Sequence, residues 1–187
     1  MTGTILPFNG MWPRISEGAF IAETAVIIGD VEVGPDSSIW YGCVVRGDVN
    51  RIRIGTRTNI QDGTIIHCNH DPKGDYRETG GGMPTLIGDE VTVGHSALIH
   101  ACTIQDRGFV GMAATVMDLA VVESEAMVAA GALVTPRKRV LTGEIWGGNP
   151  ARRMREMTPE ERRHTAYLAE HYTQQTRRYL AERRAAE

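Results

Sequence analysis

The stretch VGHSALIHACTI, residues 93–104, sets His95 and His100 five positions apart in a run that is otherwise small and mostly apolar. A third histidine, His67, directly follows an isoleucine, as His100 does. Imidazole suits two kinds of chemistry: ligation of a metal ion and proton transfer near neutral pH. Either requires the side chains to meet. A strand repeats a face every two residues and a helix every three or four, so neither brings His95 and His100 together. An element with another period must position them.

Such a period runs through the chain. Aliphatic residues recur every six positions at Val110, Val116, Val122, Val128 and Val134, with Ala114, Ala120, Ala126 and Ala132 four places after the first four of them. The same phase holds at Ile21, Ile27, Val33, Ile39 and Val45, with Ser37 and Cys43 among the smaller partners. After a three-residue slip it resumes at Ile54, Ile60 and Ile66, then at Ile87, Val93 and Ile99, with one five-residue step to Ile104. A period of six predicts neither a bundle nor an alternating sheet. It predicts a prism in which each hexad supplies one short strand and one corner, and three hexads close a turn. The aliphatic residue points inward. This pattern, over roughly residues 15–140, resembles the hexapeptide-repeat proteins, whose fold is a left-handed parallel β-helix. The expected fold is therefore an all-β solenoid, with a β-helix over 1–146, a projecting, flexible loop at 69–86, and a C-terminal turn and long α-helix over 147–187 packed alongside. The sequence TPEE at 158–161 reads as that helix's start, with Thr158 as N-cap and Glu161 completing a capping box. Its packing stripe is Leu168/Ala169, Tyr172, Thr176 and Tyr179/Leu180. Arginines at 152, 153, 155, 162, 163, 177, 178, 183 and 184 are expected on a solvated face.

The register places the histidines. His67 and His100 each follow the inward residue of a hexad, and they fall on one face of adjacent coils, about 4.7–4.9 Å apart along the axis. That spacing lets two imidazole nitrogens converge on one ion. His95 belongs to a different face. In a threefold oligomer, His95 of one subunit could complete a site with His67 and His100 of the next.

The set Arg46-Gly47-Asp48, then Asn59-Ile60-Gln61-Asp62, then His67, His95 and His100, resembles the gamma-class carbonic anhydrases. The resemblance implies a homotrimer that binds zinc, or in some cases iron or cobalt, through the three histidines at subunit interfaces, and that interconverts carbon dioxide and bicarbonate. It implies that Gln61, oriented by Asn59, contacts the hydroxide or the substrate. Arg46, Asp48 and Asp62 would form the charged cluster beside the metal, and Tyr172 would match a tyrosine that reaches the pocket. The chain departs from the best-studied members where glutamates assist proton transfer: Val49 stands at one such place and His70 near the other, so His70 becomes the candidate shuttle. Cys68 and Cys102 flank the ligands and are read as small residues filling the solenoid.

Composition bounds the alternatives. The chain has 187 residues, enough for one domain with an appendage. A formal charge of −3 offers no basic surface for nucleic acid. Three cysteines at unrelated spacings argue against a disulfide framework. No apolar run is long enough for a membrane span, and the N-terminus lacks a signal-peptide pattern, so a soluble cytoplasmic protein is expected. Two other functions fit a hexapeptide prism: acyl transfer from acyl-CoA, with His70 as general base, and a non-catalytic, metal-stabilised structural trimer.

Overall fold

The computed structural model describes residues 3–186. The chain winds into a three-faced parallel β-solenoid whose short strands stack coil upon coil. On the first face, Phe20–Ile21, Ser38–Ile39, Asn59–Ile60, Thr92–Val93, Phe109–Val110 and Met127–Val128 pair in register. The second face comprises the first halves of Val26–Val33 and Val44–Ile54, then Ile65–His67, Leu98–His100, Thr115–Val116 and Leu133–Val134. The third takes the second halves of those two long strands and continues through Thr85–Ile87, Thr103–Ile104, Val121–Val122 and Arg139–Val140.

The six-residue period is the period of this core. Ile27, Val45, Ile66, Ile99, Val116 and Val134 form one inward column, none of them exposed. Burying such a column removes apolar surface from water at about 25 cal/mol per Å2. The small partners are needed where the chain turns. At Ser37 and Thr58 the corner hydroxyls also donate to the carbonyls of Gly55 and Gly88, both at 2.7 Å, so a small polar residue satisfies a backbone acceptor of the neighbouring coil. At the same corner Asp36, Arg57, Glu90, Arg107 and Glu125 hold φ between 54° and 58°. That left-handed conformation costs about 1–2 kcal/mol for a side-chain-bearing residue. The unbranched β-carbons here keep the cost low, and the buried column offsets it.

The three-residue slip lies inside Val44–Ile54. The ladder pairs Gly29 with Gly47 and resumes at Val31 with Ile52, leaving Asp48 to Arg51 without partners there. Gly29 has φ +77°, and a β-carbon on it would lie 2.3 Å from the Gly47 carbonyl oxygen, so glycine is required for the coils to close. The extra residues carry Asp48 outward on the second face.

The loop after His67 is a structured excursion. Asn69 and Met83 exchange backbone hydrogen bonds of 2.8 and 3.0 Å at its neck. A short helix, α1 (Tyr76–Thr79), starts at an Asp75 cap and stops at Gly80 in the left-handed conformation. The Tyr76 hydroxyl donates to Asp30 at 2.5 Å and ties the excursion to the solenoid wall.

At the far end Glu144–Gly147 adds to the first face and pairs antiparallel with Arg152–Glu156, which reverses the chain. The helix α2 (Pro159–Ala186) then runs back along the solenoid. Its capping box is formed: the Glu161 carboxylate accepts from the Thr158 amide at 2.8 Å, and the Thr158 hydroxyl accepts from the Glu161 amide at 3.2 Å. Ala169, Thr173 and Thr176 are buried, and Tyr172 and Tyr179 set their rings edge-on to Trp40. The arginines of α2 are exposed as expected, apart from the partly buried Arg183, and three of them also pair with the solenoid. Arg162, Arg177 and Arg183 reach Glu125, Asp36 and Glu23 on the solenoid. Exposed ion pairs add little singly, so the aromatic contacts and the small buried residues carry the docking. Among the described residues, no helix is long and apolar enough to cross a membrane.

Candidate metal centre

On the second face Arg46, His67 and His100 are ladder partners in three successive coils, each directly after a buried aliphatic residue. Strand alternation turns all three outward. His67 Nδ1 and His100 Nε2 face each other at 3.3 Å. The outer nitrogens are engaged by carboxylates: His67 Nε2 lies 2.9 Å from Asp48 Oδ1, and His100 Nδ1 lies 2.6 Å from Asp118 Oδ1. Arg46 donates to the other oxygen of Asp48.

This geometry fits a metal ion. An ionised carboxylate only accepts, so the outer nitrogens carry the hydrogens and the inner pair of a neutral site presents two lone pairs to one another. Two acceptors this close need a positive species between them. Two nitrogens bound to one tetrahedral zinc at about 2.0–2.1 Å would sit about 3.3–3.4 Å apart, as these do. Burial lowers the proton affinity of His67, against the opposing hydrogen bond that it donates to Asp48, and so favours the neutral imidazole. For Asp48 burial works upward, but the hydrogen bonds from His67 and Arg46 outweigh it and hold the carboxyl below its usual range. Asp118 is held low in the same way, burial being outweighed by bonds to His100 and Asn69.

His95 lies elsewhere, beyond the end of Thr92–Val93, with Nδ1 2.9 Å from Asp62 Oδ2. Among the described residues, no three His, Cys, Asp or Glu side chains of one chain converge to hold a metal. Asn59 and Gln61 are buried on the first face. Gln61 Nε2 donates to Asn59 Oδ1 at 3.1 Å, and Asn59 Nδ2 donates to the Thr92 hydroxyl at 2.9 Å. Tyr172, on α2, lines a cavity of about 240 Å3 together with Asp62, Trp40 and Tyr179. Burial, and then the charge of Asp62, raise its phenol. The residues singled out from sequence thus form two separate groups on one chain. Arg46, Asp48, His67 and His100 make one, and Asn59, Gln61, Asp62, His95 and Tyr172 the other.

Sequence reasoning missed Asp118 and Asn69, whose side-chain amide donates to Asp118 at 2.9 Å. The available signal was an acid inside the otherwise apolar hexad VMDLAV. His70 borders a cavity of about 260 Å3 that Asp30, Asp48, Val49 and Tyr76 also line. The cysteines are fillers: Cys43, Cys68 and Cys102 are buried and unpaired. Burial pushes the first two thiols up to about 11 and the third to about 12. All three are expected to resist iodoacetamide at pH 8 in the folded protein and to react fully in denaturant, as counted by mass spectrometry.

No protein-family model matches the chain. Gamma carbonic anhydrase 2, mitochondrial, of Arabidopsis thaliana is 52% identical over 160 residues, which are 86% of this chain and 56% of the plant protein. The chain therefore spans little more than half the length of that relative. A carbonic anhydrase of Geobacillus kaustophilus is 35% identical over 177 residues, covering 95% of this chain and 91% of its own. The crystal structure of a hexapeptide transferase family protein from Anaplasma phagocytophilum superposes with a TM-score of 0.86 at 45% identity, covering 96% and 99% of the two chains. The coil is thus a hexapeptide-repeat left-handed β-helix, and the chain belongs to the gamma carbonic anhydrase family.

Proposed function

We propose that the chain is one subunit of a homotrimeric, metal-dependent enzyme that interconverts carbon dioxide and bicarbonate. The observation that carries this reading is the facing pair His67 Nδ1 and His100 Nε2, 3.3 Å apart, with both outer nitrogens held by carboxylates. His67 and His100 of one subunit and His95 of the next would hold zinc, or iron or cobalt. Bound there, the ion supplies the acidity that makes hydroxide available near neutral pH.

The chain's own residues do the rest. Gln61 gives an amide hydrogen to Asn59, which leaves its carbonyl oxygen to accept from the attacking hydroxyl and aim it at the carbon. Carbon dioxide is apolar and linear and needs a dry wall. Ile65 and Leu98, 46% and 38% exposed, stand side by side on the second face, each two residues before a candidate ligand, His67 or His100. The same apolar pair suits burial against a neighbouring subunit. Arg46 and Asp48 fix His67. Bicarbonate formation releases one proton, and His70, which lines the same cavity as Asp48, would pass it to buffer.

Replacing Gln61 with Ala is expected to lower turnover about 100-fold while metal content stays at the wild-type level. Unchanged turnover would remove Gln61 from the mechanism. The reading as a whole is tested by stopped-flow carbon dioxide hydration on protein prepared without oxygen and loaded with zinc or with iron, in concentrated imidazole buffer. Hydration that disappears on chelation supports it. A fully metallated trimer without hydration would move the function to a structural role. Acyl transfer is the second reading, favoured by the close superposition on the hexapeptide transferase family protein of Anaplasma phagocytophilum. Calorimetric titration with acetyl-CoA decides it, and saturable binding would count for transfer.

A further inference from the structure

The carboxylates that touch the three histidines differ in their own partners. Asp48 is bonded by Arg46, and Asp62 is 43% exposed at its side chain. Asp118 is less exposed, at 24%, and among the described residues no arginine or lysine pairs with it. Its two oxygens are each committed: Oδ1 to His100 Nδ1 at 2.6 Å, Oδ2 to the Asn69 amide at 2.9 Å. Asn69 is also the neck of the excursion before α1. Its backbone bridges to Met83, and its carbonyl accepts from Asn50 Nδ2 at 3.2 Å. The chain Asn69–Asp118–His100 therefore links the loop neck to one of the candidate ligands without passing through the other.

We propose that Asp118 is a positioning residue, fixing His100 as the Nδ1–H tautomer so that Nε2 is the ligating nitrogen, and that Asn69 orients Asp118 for this task. A carboxylate accepting from Nδ1 leaves a lone pair on Nε2, directed at the gap opposite His67. Asn69 donates from the side away from His100 and holds the second oxygen, so the carboxylate cannot rotate off the ring. The part of the inference that concerns metal affinity rests on the metal-site reading above; the tautomer assignment does not.

The test uses the full chain with Asp118→Ala, Asn69→Ala and Asn69→Asp, checked for folding by circular dichroism. Ring nitrogen-15 shifts of His100 are read on metal-free protein at a pH where imidazoles are neutral, and zinc affinity is read by chelator competition. Wild-type protein is expected to show a protonated Nδ1. Asp118→Ala should give mixed tautomers and about 10- to 100-fold weaker zinc binding. Asn69→Ala should weaken zinc binding about tenfold, although it touches no histidine. Asn69→Asp should do more harm, since it sets a second carboxylate against Asp118. If Asp118→Ala fails to fold, the two Asn69 variants carry the test. Unaltered tautomer and affinity in the folded variants would overturn the proposal. Wild-type protein that takes up no zinc would overturn the metal reading instead, and the nitrogen shifts would still decide the role of Asp118.

Discussion

Replacing His95 with Ala is expected to strip the metal and loosen the trimer together. The residue lies on a different face from His67 and His100, and its side chain is 44% exposed, with Nδ1 bonded to Asp62 and Nε2 the nitrogen left for a neighbouring subunit. If that nitrogen completes a neighbour's site, its loss removes one ligand in three. The affinity penalty should exceed the roughly 10- to 100-fold seen when only a partner of a ligand is lost. Subunit contact and metal binding are then one equilibrium, and adding zinc should restore trimer in the wild-type protein but not in the variant. Analytical ultracentrifugation with metal analysis reads both. A His95→Ala monomer carrying a full metal complement would refute the shared site.

The second large effect is on the scaffold. Ile66 is fully buried, its neighbours in the inward column are Val45 and Ile99, and His67 follows it directly. Ile66→Ala is expected to cost about 2–5 kcal/mol, because the coils above and below are fixed by their own ladders and cannot collapse into the space. Urea unfolding at fixed protein concentration measures this. The same variant should weaken metal binding, since the strand that presents His67 loses its anchor. Val121→Ala, on the third face with an outward side chain, is the control and should cost far less.

The prism and the histidine pair were legible because one physical rule, an inward aliphatic residue per hexad, sets both. Once Ile66 and Ile99 are known to stack, His67 and His100 must stack as well. The start of α2 was legible from Thr158 and Glu161, since a capping box is local. Asp118 was not, because its meeting with His100 depends on where the five-residue step between Ile99 and Ile104 removes a residue from the turn. A residue lost at a different corner would have offered another side chain to the ring. The pairing of Arg162, Arg177 and Arg183 with the solenoid was hidden for a similar reason: it depends on how α2 is rotated about its axis, which weak amphipathicity leaves open. The glycines and charges of the loop at 69–86 suggest a flexible projection. Its order comes from long-range bonds, Tyr76 to Asp30 and Asn50 to Asn69, that no local pattern announces.

If carbon dioxide is hydrated at a site made from two subunits, mixed trimers will recover activity that neither parent has. His95→Ala and His100→Ala chains, co-refolded in equal amounts with zinc, are assayed by stopped-flow carbon dioxide hydration beside each parent alone. In a mixed trimer a His95→Ala subunit still offers His67 and His100, and a neighbouring His100→Ala subunit still offers His95. Both parents should be inactive, and random assembly should restore about a quarter of the sites, with activity in proportion. A mixture as inactive as its parents, in trimers shown to contain both chains, or a His95→Ala parent active alone, would contradict the account.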